Sequence, residues 1–320
     1  MKAQLFKQDK IELPTKSLRS RYLVPPFSIL DTTVGSWLSA RNDWENLIKN
    51  RANNIRNELA RTNTPYRNPM DYDEGYKGLE RNGSTSTFDP FLCEILIKWF
   101  SRLGDTIYDP FAGGHVRGVV ASILGRNYVG IDINDKQIEA NYENLHGLYE
   151  VYRPSDEGSI DWICGDSASD SWKYDGKKFN MLLTCPPYYN LEIYTDKDGD
   201  LSTKRSYDEF FDVYSHIIQL GFDRLEDDSF AVIVVEELRN KETGLFYGFV
   251  PDTINAFEKA GFQYYNELIL ANRIMSLGVR CPKYFDQSRK VGRHHQNVLV
   301  FYKGNANPNI IHEKFGDFEK

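Results

Sequence analysis

The segment Thr184-Cys185-Pro186-Pro187-Tyr188-Tyr189 carries the most distinctive chemistry in this 320-residue chain. Neither proline can donate a backbone hydrogen bond, and each restricts its own φ and the residue before it. The turn is therefore rigid and extended, and it aims its carbonyls and the next aromatic ring in a fixed direction. Acceptors held this way suit the exocyclic amine of adenine or cytosine, a poor nucleophile because its lone pair is delocalised into the ring. Taking up the two amine protons localises that pair and lets it attack a methylsulfonium carbon. A backbone carbonyl and the Cys185 side chain are the candidate acceptors. Tyr188 offers a flat face for an extruded base, a stack worth roughly 1–3 kcal/mol.

Three shorter motifs precede this turn. Asp109-Pro110-Phe111-Ala112-Gly113-Gly114 lies where a strand gives way to a helix, and its glycines let backbone approach a ligand closely. It is not the GxGxxG dinucleotide fingerprint. Asp132 follows twenty-three residues later at the end of the next strand, where a carboxylate can accept from both hydroxyls of a ribose. Gly165-Asp166-Ser167 ends the strand after that, and Asp166 there can take the amino group of an adenine. A lone strand-end Asp is often only a helix cap. In this order, on successive strand ends, they describe a nucleoside-shaped slot.

Such motifs need strand tips to stand on. Apolar runs predict strands over 106–108, 128–131, 162–164, 181–184, 230–235, 268–271 and 297–302. Helical spacing predicts helices over 117–125, 135–148, 207–225 and 251–260. Asp89-Pro90 supplies an N-cap and first-turn proline for another through Phe100. Alternating strands and helices imply a mostly parallel sheet covered on both faces, and the final strand pair points to an antiparallel edge. Residues 1–35 read as an irregular arm punctuated by Pro14, Pro25 and Pro26. A helix over 36–61 follows from the spacing of Trp37, Leu38, Trp44, Leu47, Ile48, Ile55 and Leu59, and 62–86 reads as a polar loop. The expected organisation is an N-terminal extension over 1–85 and an α/β domain over 86–320.

The net charge of −7 runs against a nucleic-acid partner, since phosphate binders carry a positive footprint. The charge is uneven, however. Arg273, Arg280, Lys283, Arg289, Lys290 and Arg293 face a single acid, Asp286, in the stretch between the last two strands. That favours a basic loop beside a site. Cys93, Cys164, Cys185 and Cys281 lack the paired spacing of a zinc ribbon or disulfide framework, and His216, His294 and His295 lack ligand spacing. No metal is expected. No apolar run approaches a membrane span and no signal-like segment opens the chain, so the expected location is the cytoplasm of a bacterial or phage-infected cell.

Residues 109–114, Gly130-Ile131-Asp132, Gly165-Asp166 and 185–188 resemble motifs I, II, III and IV of the amino-group DNA methyltransferases, and 88–100 is similar to their motif X. The likeness covers about 86–303. Val24-Pro25-Pro26-Phe27-Ser28 and the run 291–300 also resemble a phage- and prophage-type DNA methylase group. The resemblance implies a Rossmann-like class I methyltransferase fold, S-adenosylmethionine as cofactor and double-stranded DNA as partner. It implies methyl-donor binding by Phe88, Asp109, Phe111, Gly113, Asp132, Ile133, Asp166 and Ser167. Base chemistry falls to Cys185, Pro186, Pro187 and Tyr188. A homodimer is compatible with this reading, as is a companion restriction nuclease.

The chain departs from the family at Cys185, where Asp, Asn or Ser is usual, and sulfur is a weak acceptor. Ser-Pro-Pro-Tyr is associated with N4-cytosine methylation, and Cys is nearest Ser in size, which places cytosine N4 slightly ahead of adenine N6. Fewer than twenty residues separate Asp166 from Cys185, and little follows Tyr302, so neither place holds a recognition domain. Target reading is then expected from 1–85, the loop 272–296 and the insert 190–205. Arg280, Lys283, Arg289, Lys290, Arg293 and His294 are the candidate DNA contacts. Three other readings compete. Cys185 as covalent nucleophile on cytosine C5 is disfavoured because that family's cysteine follows a proline. Methylation of RNA or of protein glutamine usually goes with Asn or Asp before the prolines. A donor-binding protein without catalysis is the reading from outside the enzyme class.

Overall fold

The computed structural model describes residues 15–62, 87–150, 152–153, 156–169, 172, 174, 177–189, 199–240, 242–274 and 277–318. The first elements are α1 (Thr15–Tyr22), β1 (Ile29–Asp31), α2 (Gly35–Thr62), α3 (Pro90–Phe100) and β2 (Thr106–Asp109). Next come α4 (Val116–Ile123), β3 (Asn127–Asp132), α5 (Asp135–Tyr149), β4 (Ile160–Cys164) and β5 (Phe179–Thr184). Then α6 (Tyr207–Arg224), β6 (Leu225–Val235), α7 (Phe249–Ala260), β7 (Gln263–Ala271), α8 (Leu277–Ser288), β8 (His295–Lys303) and α9 (Pro308–Phe315) complete the described chain.

Eight strands form one sheet in the order β1-β7-β8-β6-β5-β2-β3-β4. The pairings β2–β3, β3–β4, β2–β5, β5–β6 and β1–β7 are parallel, while β8 runs antiparallel to both β6 and β7. A parallel sheet is buried on both faces, so its strands read as apolar runs whose successive residues serve opposite cores. Leu183, Val232 and Val298 join one core with Leu92, Ile95 and Leu96 of α3 and Val120 of α4. Leu182, Ile233 and Leu299 join the other with Phe210 and Tyr214 of α6 and Phe257 of α7.

The helix termini follow local chemistry. Asp89 caps α3 by accepting from Phe91 N and Leu92 N, with Pro90 at the first turn. Asn134 caps α5 and Ser206 caps α6. Gly261 ends α7 at φ 109, in the left-handed region, and a Cβ there would stand 2.9 Å from the Phe222 ring.

The expected irregular arm over 1–35 is corrected by the structure. It contains α1 and β1, and β1 extends the sheet beyond β7, pairing Ile29 with Ile269, Leu30 with Leu270 and Asp31 with Ala271. Two prolines hide so short a strand, because only four residues follow them before the Asp31–Thr33 turn. The helix over 36–61 matches α2, which docks through indoles. Trp37 is buried, meets Phe91 edge-on at 4.9 Å and donates to Asp89 Oδ2 at 3.0 Å. Trp44 donates to Glu94 at 2.7 Å. The stretch 272–296 is also not all loop, since α8 occupies its middle with no buried residue and Pro282 inside it. The loop expected over 62–86 lies outside the described residues from 63 onward. Among the described residues, no helix is long and apolar enough to cross a membrane.

Candidate active site

The carboxyl ends of β2, β3, β4 and β5 point the same way, and every motif sits just beyond one of them. Asp109, the last residue of β2, is fully buried. Its Oδ2 accepts from Arg117 Nε at 2.6 Å and from the Tyr128 hydroxyl at 2.7 Å. Its Oδ1 accepts from Thr184 Oγ1 at 2.6 Å and from Phe111 N at 3.1 Å. A carboxylate offers about four acceptor sites, and these bonds fill them. Asp109 therefore does not face a ligand, which corrects its expected place among the donor-binding residues. Arg117 is buried with it and also donates to the carbonyls of Phe111 and Ala112, at 2.6 and 3.0 Å, fixing the Gly-rich turn from below. A charged residue inside the apolar helix Val116–Ile123 was the sequence signal for this pairing.

Asp132 and Asp166 are arranged differently. Asp132 accepts Gly113 N at Oδ2 and Asn134 N at Oδ1, both at 2.8 Å, so each oxygen keeps one lone pair. Burial pushes its carboxyl up to about 6, against the pull of those two N–H groups. Asp166 accepts from Ala168 N at 2.9 Å through Oδ1. Its Oδ2 would lie 3.1 Å from a Cβ on Gly199, a residue at φ +101, so only glycine lets that turn come so close. Ser167 is buried and donates to the Pro110 carbonyl at 2.6 Å.

These residues open on one cleft of about 620 Å³ that also contains Phe88, Phe111, Gly113, Ile133 and the turn 185–188. The Arg117 guanidinium lies 4.9 Å from the Phe88 ring centre. Tyr188 packs edge-on to Phe249 at 6.3 Å, and its hydroxyl accepts from Gln296 Nε2 at 3.5 Å. The structure thus brings the expected donor-binding residues, Asp109 apart, together with the expected base-chemistry residues. The far wall is lined by Thr32, Arg41, Asn272 and Gln296, which fall in the stretches 1–85 and 272–296 expected to read the target but were not singled out, and by Glu236 and Leu270, which sequence reasoning missed. Thr32 and Arg41 come from the N-terminal extension, and β1 carries no strand-tip signature of its own.

The basic residues divide. Lys283, Arg289 and His294 are exposed, and Arg280 and Lys290 are half-buried. His294 meets the Asn272 carbonyl through Nδ1 at 3.3 Å. Arg293 is turned inward, donating to His295 O at 3.1 Å and to Asn297 Oδ1, with Glu236 at 3.8 Å. These contacts hold two of its three guanidinium nitrogens beside β8. Residues 190–198 of the insert lie outside the described residues.

A family model described as DNA methylase, for the N6 and N4 enzymes, matches residues 72–143. The match takes in the Gly-rich turn and Asp132 and ends before Cys185. The tRNA (guanine(10)-N2)-dimethyltransferase of Pyrococcus abyssi is 28% identical over 159 residues, 49% of this chain and 44% of that protein. The type II methyltransferase M2.DpnII of Streptococcus pneumoniae is 36% identical over 61 residues, 19% of this chain and 23% of that protein. The chain spans less than half the length of either relative. Among solved structures, TrmN from Thermus thermophilus aligns with a TM-score of 0.44 at 13% identity, covering 68% of this chain and 50% of that one. A SAM-dependent methyltransferase from Methanosarcina mazei aligns at 0.43 and 13%, covering 65% and 97%. The family-model and DpnII matches support the amino-group DNA methyltransferase family for this chain.

The cofactor of that family is S-adenosylmethionine, and the cleft residues fit it. Two carboxylates at successive strand tips keep acceptor capacity, the Gly113 turn is tied to one of them, and Phe111 and Ile133 supply apolar walls.

The Asp109 network generates a stability prediction. Asp109→Asn leaves the Arg117 cation buried without its partner, a loss of about 3–5 kcal/mol. Urea denaturation should give a correspondingly lower midpoint. A change below about 1 kcal/mol would mean that Arg117 finds other compensation.

Proposed function

We propose that the chain methylates an exocyclic base amine in double-stranded DNA, with S-adenosylmethionine as donor. One observation carries this reading: the nucleoside slot of Asp132 and Asp166 and the turn 185–188 open on the same cleft. Asp132 takes the ribose hydroxyls with its two remaining lone pairs, and Asp166 takes the adenine amine of the donor. When bound, the donor supplies an electrophilic methyl group on a sulfonium centre.

The chain's own residues act on the other reactant. Pro186 and Pro187 present carbonyls with no N–H beside them to compete, so the turn offers acceptors to the amine protons. Cys185 adds a weak acceptor of nearly serine shape. Tyr188 stacks on the extruded base, which the cleft shelters from water. Cytosine N4 stands slightly ahead of adenine N6 on the Cys-Pro-Pro-Tyr pattern. Exposed Lys283 and Arg289, on the segment between the cleft residues Asn272 and Gln296, give a local positive footprint in a chain whose net charge is −7, and phosphate contacts from them and from His294 position the duplex without specifying sequence. The Pyrococcus abyssi relative favours a second reading, transfer to a guanine amine in RNA, which the distinct product, a methylguanine, would identify.

Donor affinity should depend on pH through Asp132. The diol binds the ionised carboxylate, so binding lowers a pKa that stands at about 6 in the free protein. Affinity is then full above about pH 6 and falls as pH drops through it, roughly tenfold between pH 7.5 and pH 5. Calorimetry with S-adenosylmethionine checks this, and a flat profile over that range would remove Asp132 from the site.

The mechanism is tested at the turn. Cys185→Ser should keep or raise methyl transfer to DNA at saturating donor, because the hydroxyl is the better acceptor. Tyr188→Ala should lose roughly tenfold or more through the missing stack. A folded, donor-binding but inactive Cys185→Ser protein, together with a trapped wild-type protein–DNA adduct, would overturn the amino-group mechanism in favour of thiolate attack.

A further inference from the structure

The donor half of the cleft uses the tips of β2, β3 and β4, and the other half is built by β5, β6, β8, β7 and β1. Thr184 pairs with Ile233 on β6, so Val234 emerges beside Cys185 and Glu236 beside the proline turn. Val235 pairs with Asn297 on β8, which brings Glu236 alongside Gln296. Gln296 in turn reaches the Tyr188 hydroxyl. Glu236 therefore stands where a base stacked on Tyr188 would present its edge. At about 4.8 Å per strand, it is roughly 14 Å from the strand that carries Asp132.

Glu236 also differs from three of the other carboxylates of the cleft. Asp89, Asp132 and Asp166 each accept at least one N–H from the protein. Among the described residues no hydrogen bond reaches either oxygen of Glu236, and its ion-pair partner, Arg293 Nε, stands off at 3.8 Å. Arg293 is itself anchored by His295 O and Asn297 Oδ1, and Asn297 donates to Glu267 at 2.8 Å, so this cation is fixed in place. A carboxyl with two open oxygens on the wall of a cleft is a ready hydrogen-bonding group for a ligand.

We propose that Glu236 reads the target base, accepting a proton of its exocyclic amine with one of its two open oxygens. The inference rests on the amino-group reading and supplies the acceptor that Cys185 provides only weakly.

The test compares wild type, Glu236→Gln and Glu236→Ala. Each is incubated with unmethylated genomic DNA and, separately, with bulk tRNA, using methyl-labelled S-adenosylmethionine and nucleoside mass spectrometry. Donor affinity equal to wild type shows that both variants are folded. Glutamine keeps an acceptor oxygen of the same reach, so Glu236→Gln should stay within about tenfold of wild type on DNA, while Glu236→Ala should fall at least roughly a hundredfold. Wild-type activity in Glu236→Ala would overturn the proposal. So would a Glu236→Gln protein as inactive as Glu236→Ala, because the glutamine amide oxygen still accepts a hydrogen bond. If wild type methylates no base in either substrate, the amino-group reading itself fails and Glu236 has nothing to read; that outcome is distinguished by the wild-type arm alone.

Discussion

The buried carboxylate of Asp109 holds the site together. It gathers hydrogen bonds from Arg117 on α4, Tyr128 on β3, Thr184 on β5 and Phe111 N in the Gly-rich turn, so four pieces of chain meet on two oxygens. Thr184 directly precedes Cys185, and Arg117 also holds the carbonyls of Phe111 and Ala112. The same charge pair thus sets both the Gly-rich turn after β2 and the proline turn after β5. Burial, and then the Asp109 charge, keeps the Tyr128 phenol well above its ordinary pKa, so it remains a donor. A buried charge pair stabilises little relative to a hydrophobic replacement, but it tolerates only one arrangement of its partners. Here that arrangement fixes the spacing between the two halves of the cleft.

The N-terminal segment contributes to the same cleft. β1 continues the sheet, Trp37 fills the core beside Phe91, and its indole donates to the Asp89 oxygen left over from capping α3. Thr32 and Arg41 then complete the wall that begins with Glu236 and Gln296. The donor slot and the wall opposite it consequently rest on different strands of one rigid sheet.

Much of this was legible in the amino-acid sequence. Parallel strands buried on both faces read as apolar runs, and an acid or glycine directly after such a run marks a strand tip, which is how Asp132, Gly165 and Asp166 stood out. Asp109 has the same signature and the opposite role. Its partner Arg117 lies eight residues along, and only the packing of α4 against β2 turns the carboxylate inward. Glu236 follows the apolar run 230–235 in the same way, yet nothing adjacent in the sequence links it to a turn fifty residues earlier; the β5–β6 register makes that link. β1 is too short for periodicity to register, and α8 carries no core-facing stripe and contains Pro282.

The measurement closest to the central claim is nucleoside mass spectrometry of DNA from cells producing either the wild-type chain or Asp132→Ala. Transfer to an exocyclic amine predicts N4-methylcytosine or N6-methyladenine with wild type and its loss in the variant. Appearance of 5-methylcytosine, or no new methylated base from a wild-type protein that binds S-adenosylmethionine, would contradict the account.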